Sequence, residues 1–226
     1  MIKIKNLTKR YANGFISLDS VNLTISNDEF VFLVGQSGAG KSTLLNMVFR
    51  ADVPTSGDIC IDHISLKDLT DKQIPFLRRN IGVIFQDYKL LPRRTVYENV
   101  AFALRVTHQP RSRIRRQVAQ VLELVGLEQK MKSLPEQLSG GEQQRICIAR
   151  AIVNNPPILL ADEPTGNLDP DTSWEIMQVL TKINTRKTTV IVATHNREIV
   201  DNMRKRVVAL EHGRIIRDSQ LGGYDA

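Results

Sequence analysis

The sequence contains only two cysteines, and it has no apolar run close to the ~20 residues that a membrane-spanning helix needs. Cys60 and Cys147 are far apart and lie in apolar stretches, which predicts buried, reduced thiols and argues against a disulfide framework or a zinc site. The first residues, M-I-K-I-K-N-L, do not have the apolar core of a signal peptide. We therefore expect a cytoplasmic chain that does not cross a membrane by itself.

Internal repeats and low-complexity segments are also absent, which excludes a solenoid or an array. Aromatic residues are missing from the densest basic run, residues 111–116, so a surface that stacks on bases is not expected there. Apolar residues continue from this run at helical spacing, with Ser112 placed to cap the helix and Gly126 placed to end it. Although the net charge is +7, this pattern favours a solvated helix face and no nucleic-acid partner.

Short apolar runs separated by helical periodicity predict a parallel α/β core. Alternating segments predict an antiparallel flank packed on that core, and Glu211-His212-Gly213 predicts a hairpin near the end of the sequence. Strand signals vanish between about residues 88 and 155, which predicts an inserted helical lobe. The apolar runs are residues 30–34, 81–85, 158–161 and 189–193, and the alternating segments are residues 2–4, 21–25 and 58–62.

Residues 35–43 read G-Q-S-G-A-G-K-S-T and fit the phosphate-binding loop pattern G-x-x-x-x-G-K-[ST] in full. The glycines allow the backbone to turn tightly and point its N–H groups toward an anion. Lys41 adds a positive charge for the β- and γ-phosphates, and Ser42 supplies a hydroxyl for Mg²⁺. The chain is therefore predicted to bind a nucleoside triphosphate, through Gly35, Gln36, Ser37, Gly38, Ala39, Gly40, Lys41, Ser42 and Thr43.

Two carboxylates follow the apolar run at residues 158–161. This places Asp162 and Glu163 at the carboxyl edge of the predicted sheet, where ligands bind in open α/β folds. Asp162 is suited to hold Mg²⁺, and Glu163 is suited to act as the general base that activates water.

A second glycine-rich segment, L-S-G-G-E-Q-Q at residues 138–144, precedes another predicted helix. Its N–H groups would form a second anion site by the same physics as the first. The alternative is an ordinary helix that Ser139 caps. The candidate contacts are Ser139, Gly140, Gly141 and Glu142.

Together these motifs make the chain resemble the ATP-binding-cassette (ABC) ATPases over essentially its whole length. Residues 35–43 resemble the Walker A loop of that family and residues 138–144 resemble its signature motif. The other landmarks follow in the family's order: Tyr11 as the aromatic that stacks on adenine, Gln86 as the Q-loop, Asp162 and Glu163 as the Walker B pair, residues 167–169 as the D-loop and His195 as the switch histidine.

The resemblance implies a P-loop fold with a RecA-like parallel-sheet core and an antiparallel β flank, formed by residues 1–87 and 156–226. Residues 88–155 would form an inserted helical subdomain. It also implies an ATPase that binds Mg²⁺-ATP and forms a homodimer on ATP binding. Ser139 and Gly141 of one subunit would then clamp the γ-phosphate that Lys41 of the other subunit holds.

Position supports the remaining assignments more than residue type does. Gln86 and His195 each follow a predicted strand, so both are expected at the carboxyl edge of the sheet. There, Gln86 could touch Mg²⁺ or the attacking water, and His195 could bond a phosphate and Glu163. A lone Tyr11 or His195 would more often be structural without this context.

Within the family, residues 85–100, 149–156 and 169–177 resemble the cell-division branch. That branch implies a peripheral protein on the cytoplasmic face of the plasma membrane, which drives an FtsX-type permease and signals to cell-wall hydrolases during septation. The ATPase of a lipoprotein-releasing or macrolide-type exporter is the alternative. Tyr88, Leu90, Leu91 and Pro92 are expected to form an exposed apolar patch that receives the permease.

Overall fold

The computed structural model describes residues 1–225, which form two β-sheets and seven α-helices. The strands are β1 (Ile2–Arg10), β2 (Ile16–Ile25), β3 (Phe30–Val34), β4 (Ser56–Ile61), β5 (Ile64–Ser65), β6 (Ile81–Ile84), β7 (Ile158–Asp162), β8 (Thr189–Ala193), β9 (Arg206–Glu211) and β10 (Arg214–Ser219). The helices are α1 (Lys41–Val48), α2 (Ile74–Arg79), α3 (Val96–Val106), α4 (Arg111–Leu124), α5 (Gly140–Ile152), α6 (Pro170–Asn184) and α7 (Arg197–Met203).

The larger sheet has the order β10-β9-β3-β8-β7-β6, and its five strands from β9 to β6 are parallel. The four apolar runs in the sequence are β3, β6, β7 and β8, so the predicted α/β fold is confirmed. Because the strands are parallel, their carboxyl ends lie at one edge. The phosphate loop, Gln86, Glu163 and His195 all follow strands at that edge.

Helices and strands cover the two faces of this sheet and create two hydrophobic cores. Along β3, Phe30, Phe32 and Val34 face one core, whereas Val31 and Leu33 face the other. This alternation follows from the two-residue period of a strand. Helices α3 to α6 pack in the first core, and α1 with the smaller sheet packs in the second.

The smaller sheet is antiparallel, with the order β2-β1-β4-β5. Ile2 pairs with Ile25 on one side and with Ile61 on the other, which confirms the antiparallel flank. The hairpin between β9 and β10 is also present. Its turn is formed by His212 and Gly213, which both have positive φ as such a tight turn requires.

Between β6 and β7 the chain forms α3, α4 and α5 and no strand within the described residues. Helix α4 starts at Arg111 after Pro110, so the expected cap at Ser112 is wrong. The physical reason is that the Pro110 backbone is extended, with φ of −65° and ψ of 148°, while its carbonyl already accepts the first hydrogen bond of the helix from the Ile114 N–H at 3.0 Å. Gly126 follows the end of the helix with a φ of +72°.

The expected exposed patch at residues 88–92 is also wrong, because Tyr88 and Leu90 are half-buried and pack against the first core. Tyr88 and Lys89 adopt the left-handed conformation, with φ of 55° and 50°. Arg150 of α5 donates hydrogen bonds to both of their carbonyls, and the Cys147 Sγ donates to that of Tyr88. These contacts fix residues 88 and 89 against α5. Of Tyr88, Leu90 and Leu91, only Leu91 lines a groove.

Cys60 is half-buried and Cys147 is buried, and both are free thiols. Burial raises the pKa of the Cys147 thiol to about 12, so it is an inert core residue at neutral pH. No helix within residues 1–225 has the length and apolarity to cross a membrane.

Candidate nucleotide-binding site

A cleft of about 620 Å³ lies at the carboxyl edge of the larger sheet. It brings together most of the residues that the sequence predicts for nucleotide and Mg²⁺ binding, although they come from five separate parts of the chain. The cleft is lined by Tyr11, Phe15, Ser17, Gln36, Ser37, Gly38, Gly40, Lys41, Ser42, Thr43, Gln86, Glu163, His195 and Tyr224.

The conformation of the phosphate loop requires glycine at two positions. Gly35 and Gly40 have φ of 146° and 106°, values that other residues rarely adopt. A Cβ at Gly35 would lie 2.2 Å from the Leu210 carbonyl oxygen, and one at Gly40 would lie 2.5 Å from that of Ser17. The loop therefore keeps its shape only without these side chains.

The N-terminus of α1 opens into this loop without a side-chain cap. Gly40 is the N-cap residue, and the first turn contains no acidic residue. The first N–H groups of a helix have no partner within the helix, so those of α1 can bind an anion. This is the arrangement that a phosphate group requires.

Lys41 lies beneath the loop and is buried. Its Nζ donates hydrogen bonds to the carbonyl oxygens of Gly35 at 2.7 Å and Gln36 at 3.1 Å, and it lies 3.9 Å from Glu163 Oε1. An ammonium group has three N–H donors. Two of them fix the lysine to the loop, and the third can bind a phosphate oxygen.

Ser42 and Asp162 form the candidate Mg²⁺ site. The Ser42 hydroxyl donates to Asp162 Oδ1 at 2.9 Å. Burial raises the pKa of the Asp162 carboxyl, and the neighbouring Glu163 adds to this shift while the Ser42 hydrogen bond opposes it. A bound cation would relieve that cost, because a hydroxyl and a carboxylate are oxygen ligands of the kind that Mg²⁺ prefers.

Within residues 1–225, no group of three or more His, Cys, Asp or Glu residues converges on one point. A Mg²⁺ ion held by one carboxylate and one hydroxyl takes its other ligands from phosphates and water, as is usual for this ion. Gln86 is exposed in the same cleft and supplies a further amide oxygen. The residues present therefore fit a Mg²⁺-nucleotide.

Glu163 lies between a cation and an imidazole. Its Oε1 accepts a hydrogen bond from His195 Nδ1 at 2.9 Å, and the Lys41 Nζ lies 3.9 Å from the same oxygen. Glu163 has a φ of 47°, and its N–H donates to the Ala193 carbonyl of β8 at 2.9 Å. This backbone turn aims the carboxylate into the cleft, where it can accept a proton from water.

Aromatic side chains form the outer rim of the cleft. Tyr11 is 39% exposed and Phe15 is 54% exposed. Tyr11 precedes the tight turn between β1 and β2, and Phe15 follows it. The Lys9 Nζ lies 5.0 Å from the centre of the Tyr11 ring. No motif or periodic pattern in the sequence marks Phe15 or Tyr224 as part of the cleft.

The signature segment lies outside the cleft. Ser139 Oγ accepts a hydrogen bond from the Glu142 N–H at 3.2 Å, and the Ser139 N–H donates to Glu142 Oε2 at 2.9 Å. This reciprocal capping box is the ordinary capped helix that the sequence allowed. Ser139 and Gly140 are exposed, and the hydroxyl hydrogen of Ser139 is not used by the cap.

Gly141 packs against the start of α6, which directly follows the D-loop at residues 167–169. A Cβ at Gly141 would lie 2.4 Å from Thr172 Cγ2 at the start of α6. Thr172 is itself fixed, because its N–H donates to the Asp169 side chain that caps α6. The signature segment and the D-loop are therefore held together in one chain, away from the phosphate loop of that chain.

The family model described as ABC transporter matches residues 18–166. The cell division ATP-binding protein FtsE of Bacillus subtilis is 56% identical over 99% of this chain and 98% of that relative. FtsE of Mycobacterium tuberculosis is 52% identical, with 99% and 98% of the two chains covered.

Among solved structures, the chain is similar to the dimeric post-hydrolysis state of the ATP-binding cassette MJ0796 bound to ADP and Pi. The TM-score is 0.89 and the identity is 41%, over 99% of this chain and 100% of that chain. The similarity therefore covers the fold of nearly the whole chain.

Proposed function

The chain belongs to the ABC transporter family and is an ATPase, and we propose that it powers an FtsX-type membrane partner in bacterial cell division. The observation that carries this proposal is the identity of 51–56% with FtsE proteins of three genera over the full chain. The proposed output is a mechanical signal across the membrane to cell-wall hydrolases. The protein then acts at the cytoplasmic face of the plasma membrane.

ATP hydrolysis in the cleft is a matter of positioning and electrostatics. Lys41 and the first N–H groups of α1 bind the phosphates, and Tyr11 stacks on the base. Ser42, Asp162 and Gln86 hold Mg²⁺, which supplies charge neutralisation for the phosphates. Glu163 accepts the proton of the attacking water, and His195 orients Glu163 through the 2.9 Å contact.

The signature segment completes the site of a second copy of the chain. Ser139 to Glu142 do not line the cleft of their own chain, and Ser139 keeps an exposed O–H donor. We propose that a homodimer forms on ATP binding and that Ser139 and Gly141 bind the γ-phosphate held by Lys41 of the other copy. The dimeric state of the MJ0796 cassette supports this arrangement.

The membrane partner docks in a groove of about 570 Å³ between the larger sheet and helix α3. Its apolar lining includes Phe85 and Leu91, which are half-buried, and Phe102 and Val106, which are 49% and 55% exposed. Its basic lining residues are Arg78, Arg79, Lys89 and Arg150. We propose that it receives a short cytoplasmic helix of the permease that presents apolar and acidic side chains.

This docking proposal replaces the patch expected at residues 88–92, since Leu90 packs on the core. Replacing Leu91 and Phe102 with Asp would place carboxylates in an apolar contact and cost on the order of 10²-fold or more in affinity. We expect the double variant to bind ATP normally and to be lost from membranes that contain the permease. Ile64→Asp is the matched control, because Ile64 is 57% exposed but does not line the groove.

Affinity purification of the wild-type chain from membranes tests the function itself. Recovery of an FtsX-type permease with the wild type and the control, but not with the double variant, is the expected result. Recovery of a lipoprotein-releasing or macrolide-type permease would contradict the cell-division role, and wild-type recovery with the double variant would place the docking surface elsewhere.

A further inference from the structure

Residues 222–225, here called the tail segment, lie between α7 and the phosphate loop. The Gly222 N–H donates to the Lys205 carbonyl at 3.2 Å, and the Tyr224 N–H donates to Asp201 Oδ1 at 2.6 Å. Arg217 of β10 donates to the carbonyls of Gly223 and Tyr224. The tail segment is therefore tied to α7 on one side and to β10 on the other.

Arg197 adds a second connection between the tail segment and α7. Its guanidinium lies 5.0 Å from the centre of the Tyr224 ring, and its Nη1 lies 2.8 Å from Asp225 Oδ2. The Tyr224 ring also packs against the first core and lines the nucleotide cleft. Arg197 is the first residue of α7 and follows His195 by two positions.

Helix α7 has little packing of its own. It contains seven residues, of which only Ile199 and Val200 are buried. His195 lies two residues before α7, and 65% of its side chain is exposed. The hydrogen bond to Glu163 orients the imidazole of His195. The position of His195 therefore depends on how firmly α7 is held, and the tail segment provides three contacts that hold it.

We propose that Tyr224 is a positioning residue for ATP hydrolysis: its ring holds Arg197 at the start of α7, beside the backbone contact with Asp201, so that His195 stays against Glu163. This inference rests on the proposed roles of His195 and Glu163. Tyr224 lines the cleft, but in the proposed function the phosphates are bound by Lys41 and the amides of α1, and the base by Tyr11. Loss of the contact should therefore lower kcat and leave KM nearly unchanged.

Phosphate release by the full-length chain at varied Mg²⁺-ATP concentration tests the proposal. We expect Tyr224→Ala to lower kcat about tenfold, since a misplaced catalytic group costs one to two orders of magnitude, with KM within about twofold of wild type. Tyr224→Phe keeps the ring that contacts Arg197 and should restore kcat. Arg197→Ala removes an exposed side chain without disturbing the core and should reproduce the loss of kcat.

Leu221→Ala is the matched control in the same part of the chain, because Leu221 is 83% exposed. It should hydrolyse ATP at the wild-type rate. Wild-type kcat in both Tyr224→Ala and Arg197→Ala would overturn the inference while leaving the ATPase assignment intact. A wild-type chain that binds no ATP would instead contradict the proposed function.

Discussion

The N-termini of α1 and α5 have similar glycine-rich sequences but opposite hydrogen-bonding states. Gly40 leaves α1 without a side-chain cap, and the loop that precedes it curves around a buried Lys41. Ser139 and Glu142 cap α5 reciprocally, so that helix is stable without a ligand. The N-terminus of α1 therefore has N–H groups that an anion can complete, whereas that of α5 is complete in itself and keeps an exposed O–H donor.

The largest effect should come from the α1 side of this comparison. Lys41→Ala removes the charge beneath the loop, so we expect loss of detectable ATP binding, a change on the order of 10²-fold or more in Kd. Equilibrium binding of a fluorescent ATP analogue measures it. Ser139→Arg is the contrast at α5 and should bind ATP in the monomer as the wild type does. An equal loss of ATP binding in Lys41→Ala and Ser139→Arg would contradict the proposed difference between the N-termini of α1 and α5.

The next largest effect concerns Glu163, which lies in the cleft beside Lys41 of α1. Glu163→Gln preserves the shape of the site but cannot accept a proton, so hydrolysis should fall about 10²–10⁴-fold while ATP binding persists. Size-exclusion chromatography with Mg²⁺-ATP should show a trapped dimer. If the variant binds ATP and hydrolyses it at the wild-type rate, Glu163 is not the general base.

A smaller effect tests how the α5 side is held. Gly141→Ala would place a methyl group 2.4 Å from Thr172 Cγ2, so we expect a loss of about 1–3 kcal/mol in the free energy of unfolding, typical of overpacking. Urea denaturation measures it. Adding Thr172→Ser removes the clashing methyl and should recover most of the loss.

Gly140→Ala serves as the control for that experiment, since its Cβ would lie 3.4 Å from its nearest neighbours. It should unfold within about 1 kcal/mol of the wild type, as expected for glycine replaced at a helix start. Equal stability of the two alanine variants would mean that the packing of Gly141 on α6 does not fix the signature segment.

The smallest effect concerns Asp162 in the chain without nucleotide. Burial raises its pKa in the folded state above the unfolded value, so the folded chain loses stability as the pH rises through the interval between those values. Asp162→Asn keeps the Ser42 contact without a charge. It should therefore raise Tm at neutral pH.

The same variant should lose Mg²⁺-dependent hydrolysis, which separates the stability effect from the catalytic one. Thermal unfolding at pH 7 without nucleotide is the measurement. A lower Tm for Asp162→Asn than for wild type would show that the buried carboxylate stabilises the fold, against the sign given by its raised pKa.

Much of the fold could be predicted because β3, β6, β7 and β8 are continuous apolar runs whose residues are nearly all buried. The phosphate loop could also be predicted, since its shape depends on glycines that lie close together in the sequence, such as Gly35 and Gly40. Two predictions, the helix cap at Ser112 and the exposed patch at residues 88–92, were wrong because other residues make the contacts there. Pro110 precedes α4, and Arg150 fixes residues 88 and 89 against α5.

The rest of the site depends on contacts between distant parts of the chain. Phe15 and Tyr224 reach the cleft from positions more than 200 residues apart, and no local pattern marks either one. The capping state of Ser139 was also ambiguous in sequence, because the same S-G-G-E segment can bind an anion or cap its own helix. Only the hydrogen bonds to Glu142 separate the two interpretations.

The central claim is that the two N-termini meet in one ATP site but come from different chains. Mixing Lys41→Ala with Ser139→Arg tests it most directly, because a mixed dimer then has one site with both residues intact and one site with both altered. Neither variant should release phosphate alone, and the mixture should recover activity of up to about half per dimer. No recovery, with mixed dimers shown to form, would contradict the account.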